Sequence, residues 1–189
     1  EKGIAMAIHV IDLEVSYRND DSFATIHHKS VPRTKNPPRT LADVNFDEIR
    51  NLRLQFKAKS TDYQVPTLEE ALNLARGKIL VDLDIKTNRV PEIMAVVQRT
   101  QTVNTTFFFL GRAIYAKMLK EKNHAYRTLV RTHKEADVDS LFLVAKTEAV
   151  HIDPSHNTVA VTTKIKNNGA RIWINALGET DRNAAAGNL

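Results

Sequence analysis

Six short apolar or β-branched runs alternate along this chain with amphipathic stretches, and no other feature narrows its fold so far. The runs 8–16, 79–85, 105–110, 125–131, 149–153 and 170–176 have the length and composition of strands. Around and between them "NFDEIRNLRL", "PTLEEALNLA", "VPEIMAVVQRTQ", "GRAIYAKMLKEK", "EADVDSLFLVA" and "TVAVTTKIKNNG" have the spacing of helices. Local signals agree: Thr67 stands three residues before Glu70 as in a capping box, Pro91 lies near a helix start, and Gly77, Gly111 and Gly169 fall at junctions. Such alternation makes an α/β fold with parallel strands, either a β/α barrel or a doubly wound sheet, and the pattern alone does not choose between them. At 189 residues the chain suits a single domain. Its irregular part is an insertion at about 18–45, Pro-rich over 29–45 and expected to be a loop.

Side-chain parity says more than the pattern. Residues two apart in a strand share a face, so Asp12 points with Glu14, Asp82 with Asp84 and Lys86, and Arg171 with Trp173 and Asn175. Each of these strands thus carries polar groups on one face near its C-terminal end, where barrels and open α/β sheets alike carry their sites. Removing one carboxylate from water costs several kcal/mol, and gathering several adds repulsion. A hard divalent cation, Ca²⁺ or Mg²⁺, compensates such an oxygen-rich set. The alternative is that these acids end their strands in solvent or pair with Lys and Arg.

Two histidines extend this reading. His27 and His28 follow a short alternating run after the turn-like "RNDDS", which predicts a hairpin at the mouth of the sheet. An imidazole beside a metal-bound phosphate can give a proton to a leaving alkoxide or take one from a nucleophile. His151 and Asp153 in "HIDPSH" also share a face at a strand end, whereas His9, His124, His133 and His156 have no comparable context.

Composition excludes other classes. A net charge of +5, from 27 basic and 22 acidic residues, favours an anionic partner. The basic residues are scattered rather than striped among aromatics, so nucleic acid is not the expected partner. No cysteine is present, which removes disulfides and thiolate metal sites. No apolar run approaches the length of a membrane span.

The series "IDLEV", "IHHKSVPRT", "VPTLEEAL", "ILVDLDIK" and "GARIWIN" resembles the glycerophosphodiester phosphodiesterases, with compatible order and spacing over nearly the whole chain. The resemblance implies a metal-dependent (β/α)8 TIM barrel that cleaves a glycerophosphodiester to glycerol 3-phosphate and an alcohol. It implies Asp12, Glu14 and Asp84 as ligands of the Ca²⁺ or Mg²⁺, His27 as one of two catalytic histidines, Lys86 as a phosphate contact, and Trp173 near the glycerol moiety. Arg33 and Thr34 match the end of the insertion motif and organise that loop, while Asp82 shares the inward face without matching a usual ligand. The partner it implies is a small-molecule phosphodiester. Bacterial relatives are commonly periplasmic, in the cell envelope or secreted, and the sequence itself leaves the compartment open.

Departures from the family pattern are visible too. The acid pair runs Asp12 then Glu14 where the family has Glu then Asp, Asp84 stands for a Glu, and His28 follows His27 where an Asp is usual. The first motif, a strand ending in His-Arg, is missing, as is the eighth strand, so the chain is expected to be an incomplete barrel of about six strands from a longer polypeptide. On this expectation 8–16 and 170–176 are the edges of the incomplete barrel. Two other readings remain: a non-catalytic barrel that binds phosphorylated ligands, and a phosphodiesterase acting on phosphoinositides or lysophospholipids.

Overall fold

The computed structural model describes residues 2–5, 8–17, 23–25, 46–51, 53–56 and 59–175, with a few positions between 178 and 187. The chain divides into two compact units, Glu1–Phe109 with Ala125–Arg127, and Leu110–His124 with Thr128–Leu189.

The first unit runs α1 (Lys2–Ala5), β1 (Val10–Tyr17), β2 (Phe23–Thr25), α2 (Phe46–Arg50), β3 (Arg53–Phe56), β4 (Lys59–Gln64), α3 (Leu68–Ala75), β5 (Leu80–Ile85), α4 (Val90–Arg99) and β6 (Thr106–Leu110). Its sheet has the order β2-β1-β5-β6, with β1, β5 and β6 parallel and β2 antiparallel to β1. In "LVDLDI" the odd positions Val81 and Leu83 are fully buried, together with Val15 on β1 and Phe108 on β6. α3 and α4 contribute Leu68, Leu72, Ile93 and Val97 to the buried core, and α3 packs on both α4 and β5. Phe108 meets the buried ring of Tyr126 edge-on at 5.3 Å between centroids. The even positions of β1 and β5 therefore take the opposite face, and Asp12, Glu14, Asp82 and Asp84 are among them.

The expected capping box is present. The Glu70 amide donates to Thr67 Oγ1 and the Thr67 amide to Glu70 Oε2, both at 3.0 Å. Glu70 also receives both terminal nitrogens of Arg50 at 2.7 Å, tying α2 to the start of α3. The Arg50 hydrogen bonds, then the Thr67 amide, hold the Glu70 carboxyl down at about 2 from an ordinary 4.5. An acid with a depressed pKa stabilises the fold above its unfolded value and ceases to as pH falls through the folded one. The melting temperature of Arg50→Ala is therefore expected to lie slightly below that of the native protein at pH 7, because the pair is exposed. That gap should close as pH is lowered from about 5 toward 2; a gap constant with pH would disprove the linkage.

The second unit runs α5 (Ala113–Lys122), β7 (Arg127–Arg131, its first residue counted with the first unit), α6 (Glu135–Val144), β8 (Ala149–Ile152), α7 (Val159–Asn167) and β9 (Arg171–Ile174). Strands β7, β8 and β9 are parallel and adjacent in sequence order, and neighbouring helices pack on one another. Gly77 and Gly169 end α3 and α7 with φ of +71° and +76°, the left-handed turn that lets a helix stop and the chain enter the next strand.

All six expected strands are present, three parallel ones in each unit, and helices alternate with them. Two expectations are corrected. The helix expected over 45–54 ends at Arg50, with the Asn51 amide closing on the Asp47 carbonyl, and "RLQF" is instead β3, antiparallel to β4. A ladder partner outweighed weak local helix propensity there. Strand 8–16 is an edge over only part of its length: β2 pairs with β1 from Val15 to Tyr17, and no strand among the described residues pairs with Val10–Glu14 on that side. The loop expected over 29–45 lies outside the described residues.

Candidate active site

Parallel pairing of β1 and β5 sets Asp12 beside Asp82 and Glu14 beside Asp84, so the acids form two rungs on one face of the first unit's sheet. Neighbouring parallel strands lie about 4.8 Å apart, which brings like charges close. The second rung, Glu14 with Asp84, stands in the C-terminal halves of both strands, and the first lies one step before it. Beyond the second rung, the Lys86 amide donates to the Val15 carbonyl at 3.1 Å and extends the ladder past β5. Its ammonium reaches Asp84 Oδ2 at 2.6 Å and Glu14 Oε1 at 3.6 Å. Burial works against the Lys86 charge, but Asp84 and then Glu14 outweigh it and hold the lysine above its ordinary pKa.

Asp82 is the deepest of the four acids, only 4% exposed, and its Oδ1 has no hydrogen-bond partner among the described residues. Burial, then repulsion from Asp12 and Asp84, pushes its carboxyl up to about 7. Sequence parity assigns Asp82 to this face but says nothing of its depth. Where β1 ends and β2 begins, the Tyr17 and Phe23 rings meet tilted by 56° with centroids 5.5 Å apart, and the Arg89 guanidinium lies 4.7 Å from the Tyr17 ring centre. Nothing in the sequence marks these three residues, whose types are those of ordinary loop and core positions.

Oxygen donors of this kind suit a hard divalent cation, with Asp12, Glu14 and Asp84 on one face. Among the described residues no three ligand-type side chains surround a common point. Lys86 instead balances Glu14 and Asp84, so a cation would take over the neutralisation that this ammonium supplies. His27 and His28, with Arg33 and Thr34, lie outside the described residues.

Trp173 belongs to the second unit, half-buried on β9. Its Cα partner is His151 on β8, which pairs in turn with Arg131 on β7, so the three share a face. Arg131 Nη2 donates to Asp153 Oδ1 at 2.8 Å, and His133 Nδ1 lies 3.5 Å from Asp153 Oδ2. His133, which has no context of its own in the sequence, thus joins the pair His151 and Asp153. The signal was the shared parity of Arg131 and His133 in "RTH".

Parallel strands alternating with helices, with polar side chains toward strand C-terminal ends, define an α/β protein of either the barrel or the doubly wound class. No family model and no curated protein matches the sequence. Solved structures do. A glycerophosphoryl diester phosphodiesterase from Parabacteroides distasonis is 21% identical with a TM-score of 0.73, over 94% of this chain and 66% of that one. A protein described as a glycerophosphoryl diester phosphodiesterase from Silicibacter pomeroyi is 14% identical with a TM-score of 0.79, over 98% and 79%. A phosphodiesterase from Oleispira antarctica, solved in complex with the product sn-glycerol-3-phosphate, is 15% identical with a TM-score of 0.72, over 99% and 80%. The chain has the fold of the glycerophosphodiester phosphodiesterases and spans about two thirds to four fifths of these structures. No helix among the described residues is long and apolar enough to cross a membrane.

Proposed function

We propose that this chain carries the greater part of a metal-dependent hydrolase domain that cleaves glycerophosphodiesters to glycerol 3-phosphate and an alcohol. The observation that carries the reading is the double rung of carboxylates on β1 and β5, closed by Lys86 at the strand ends. On this reading Asp12, Glu14 and Asp84 hold Ca²⁺ or Mg²⁺. When bound, the cation supplies a Lewis acid toward a phosphoryl oxygen. Lys86 gives the phosphate a second positive contact once its carboxylates are engaged elsewhere. His27 moves a proton to the leaving alkoxide or from the attacking water as one half of an acid/base pair. Trp173 packs against the glycerol moiety. The Oleispira antarctica protein, with its bound glycerol phosphate, supports the substrate class by fold likeness.

One observation favours a second reading. Lys86 already neutralises Glu14 and Asp84, as it would in a non-catalytic barrel that binds phosphorylated ligands without a metal. The complete protein, given glycerophosphocholine and either cation, is expected to release glycerol 3-phosphate and choline, and to stop in excess chelator. Release that persists in chelator would remove the metal role. No release from a folded, cation-loaded protein would favour the binding module or a different diester, which a lysophospholipid and a phosphoinositide assay would separate.

A further inference from the structure

Arg131, His133, His151 and Asp153 form a cluster in the second unit that the proposed hydrolysis does not use. It lies at the C-terminal ends of β7 and β8, the end of the strands at which α/β folds take their ligands. One carboxylate stands there among a permanent cation and two imidazoles. Burial works against the Asp153 charge, and Arg131, then His133 and His151, outweigh it and hold the carboxyl below its ordinary pKa. Arg131 and Asp153 balance one another, so the cluster becomes cationic when an imidazole takes up a proton.

Asp153 does not exhaust its partners. Arg131 spends Nη2 on Asp153, but its Nε is buried and has no hydrogen-bond partner among the described residues. Leaving a buried donor unmade costs about 1–3 kcal/mol, and more for a charged group, which is why few buried groups stay so. A ligand oxygen reaches the exposed part of the side chain, 38% of it, rather than the covered Nε. His133 is 66% exposed, and with Nδ1 turned to Asp153 its Nε2 is the nitrogen left to meet a ligand. His151 is buried on the face it shares with Arg131 and Trp173. A guanidinium and a protonated imidazole, both steadied by one carboxylate, offer donors in more than one plane, which suits a tetrahedral oxyanion; in the neutral ring Nδ1–H faces Asp153 and Nε2 only accepts.

We propose that Arg131 and His133, oriented by Asp153 and backed by His151, bind a phosphate group on the second unit. The proposal does not depend on the hydrolase reading, because it is tested by binding and without a divalent cation.

Trp173 is the single tryptophan of the chain and its Cα partner is His151, so its fluorescence reports this face. With the whole protein in excess chelator, inorganic phosphate added at constant ionic strength is expected to change that fluorescence saturably. Sulfate should compete, and acetate should do so more weakly. Arg131→Met is expected to weaken the response about tenfold or more, the loss of about one charge-assisted hydrogen bond. His133→Ala, an exposed change that leaves the strands intact, should weaken it severalfold, and Asp153→Asn should retain binding with looser Arg131 geometry. Should Arg131→Met fail to fold, His133→Ala and the charge-keeping Arg131→Lys still decide. The proposal is overturned if phosphate gives no saturable response, if all anions act alike at equal ionic strength, or if the His133 and Arg131 variants bind as the native protein does.

Discussion

Replacing Asp84 by asparagine is expected to lower glycerophosphodiester hydrolysis by the complete protein about 10²- to 10³-fold, the range for losing one preorganised electrostatic group. Asparagine keeps the shape and one oxygen but removes the charge. Lys86 would then keep only Glu14, now 3.6 Å away, and the cation would lose one of its three proposed ligands. Cation affinity measured by calorimetry should fall together with kcat. Melting temperature should change little, because Asp84 is half-buried and sits between a lysine and an acid rather than in the apolar core. Removing its charge also relieves Asp82, whose raised pKa owes part of its shift to Asp84. Unchanged cation affinity with unchanged turnover would sink the assignment of Asp84.

His27→Ala is expected to cost about 10²- to 10⁴-fold in turnover, roughly 3 to 5 kcal/mol of barrier, while leaving folding and cation affinity nearly intact. The effect belongs to proton transfer, so it should fall on kcat with little change in substrate affinity. His124 supplies the control: it is exposed in the turn after α5, and its replacement should leave turnover within about twofold. A His27 variant indistinguishable from the His124 variant would end the acid/base role. One that lost cation affinity would instead make His27 a ligand.

The parallel strands and their helices were legible because each run carries its own period. In "LVDLDI" the buried Val81 and Leu83 alternate with Asp82 and Asp84, and that two-residue period places the acids on one face before any partner strand is known. What the period does not carry is register. The rungs Asp12–Asp82 and Glu14–Asp84 arise only when β1 and β5 lie side by side. Hence the depth of Asp82, and its carboxyl near 7, came from tertiary structure alone. Register also hid the Arg131–Asp153 pair, whose members are 22 residues apart on adjacent strands. The family resemblance implies Lys86 as a phosphate contact, and its present partners are the neighbouring carboxylates, since an ammonium takes the nearest unbalanced charge. The hairpin of β3 and β4 escaped because "RLQF" is too short and too mixed for its period to outweigh the helix-like stretch before it. Choosing the barrel over a doubly wound sheet likewise needed the solved structures, because both folds present the same strand-helix alternation.

The most direct test of the carboxylate site is diffraction from crystals of the complete protein grown with Ca²⁺. The account predicts one anomalous peak with oxygens of Asp12, Glu14 and Asp84 at about 2.3–2.6 Å, and Lys86 released from Asp84. A fully ordered structure in which Lys86 Nζ still lies 2.6 Å from Asp84 Oδ2, with Ca²⁺ elsewhere or nowhere, would contradict it.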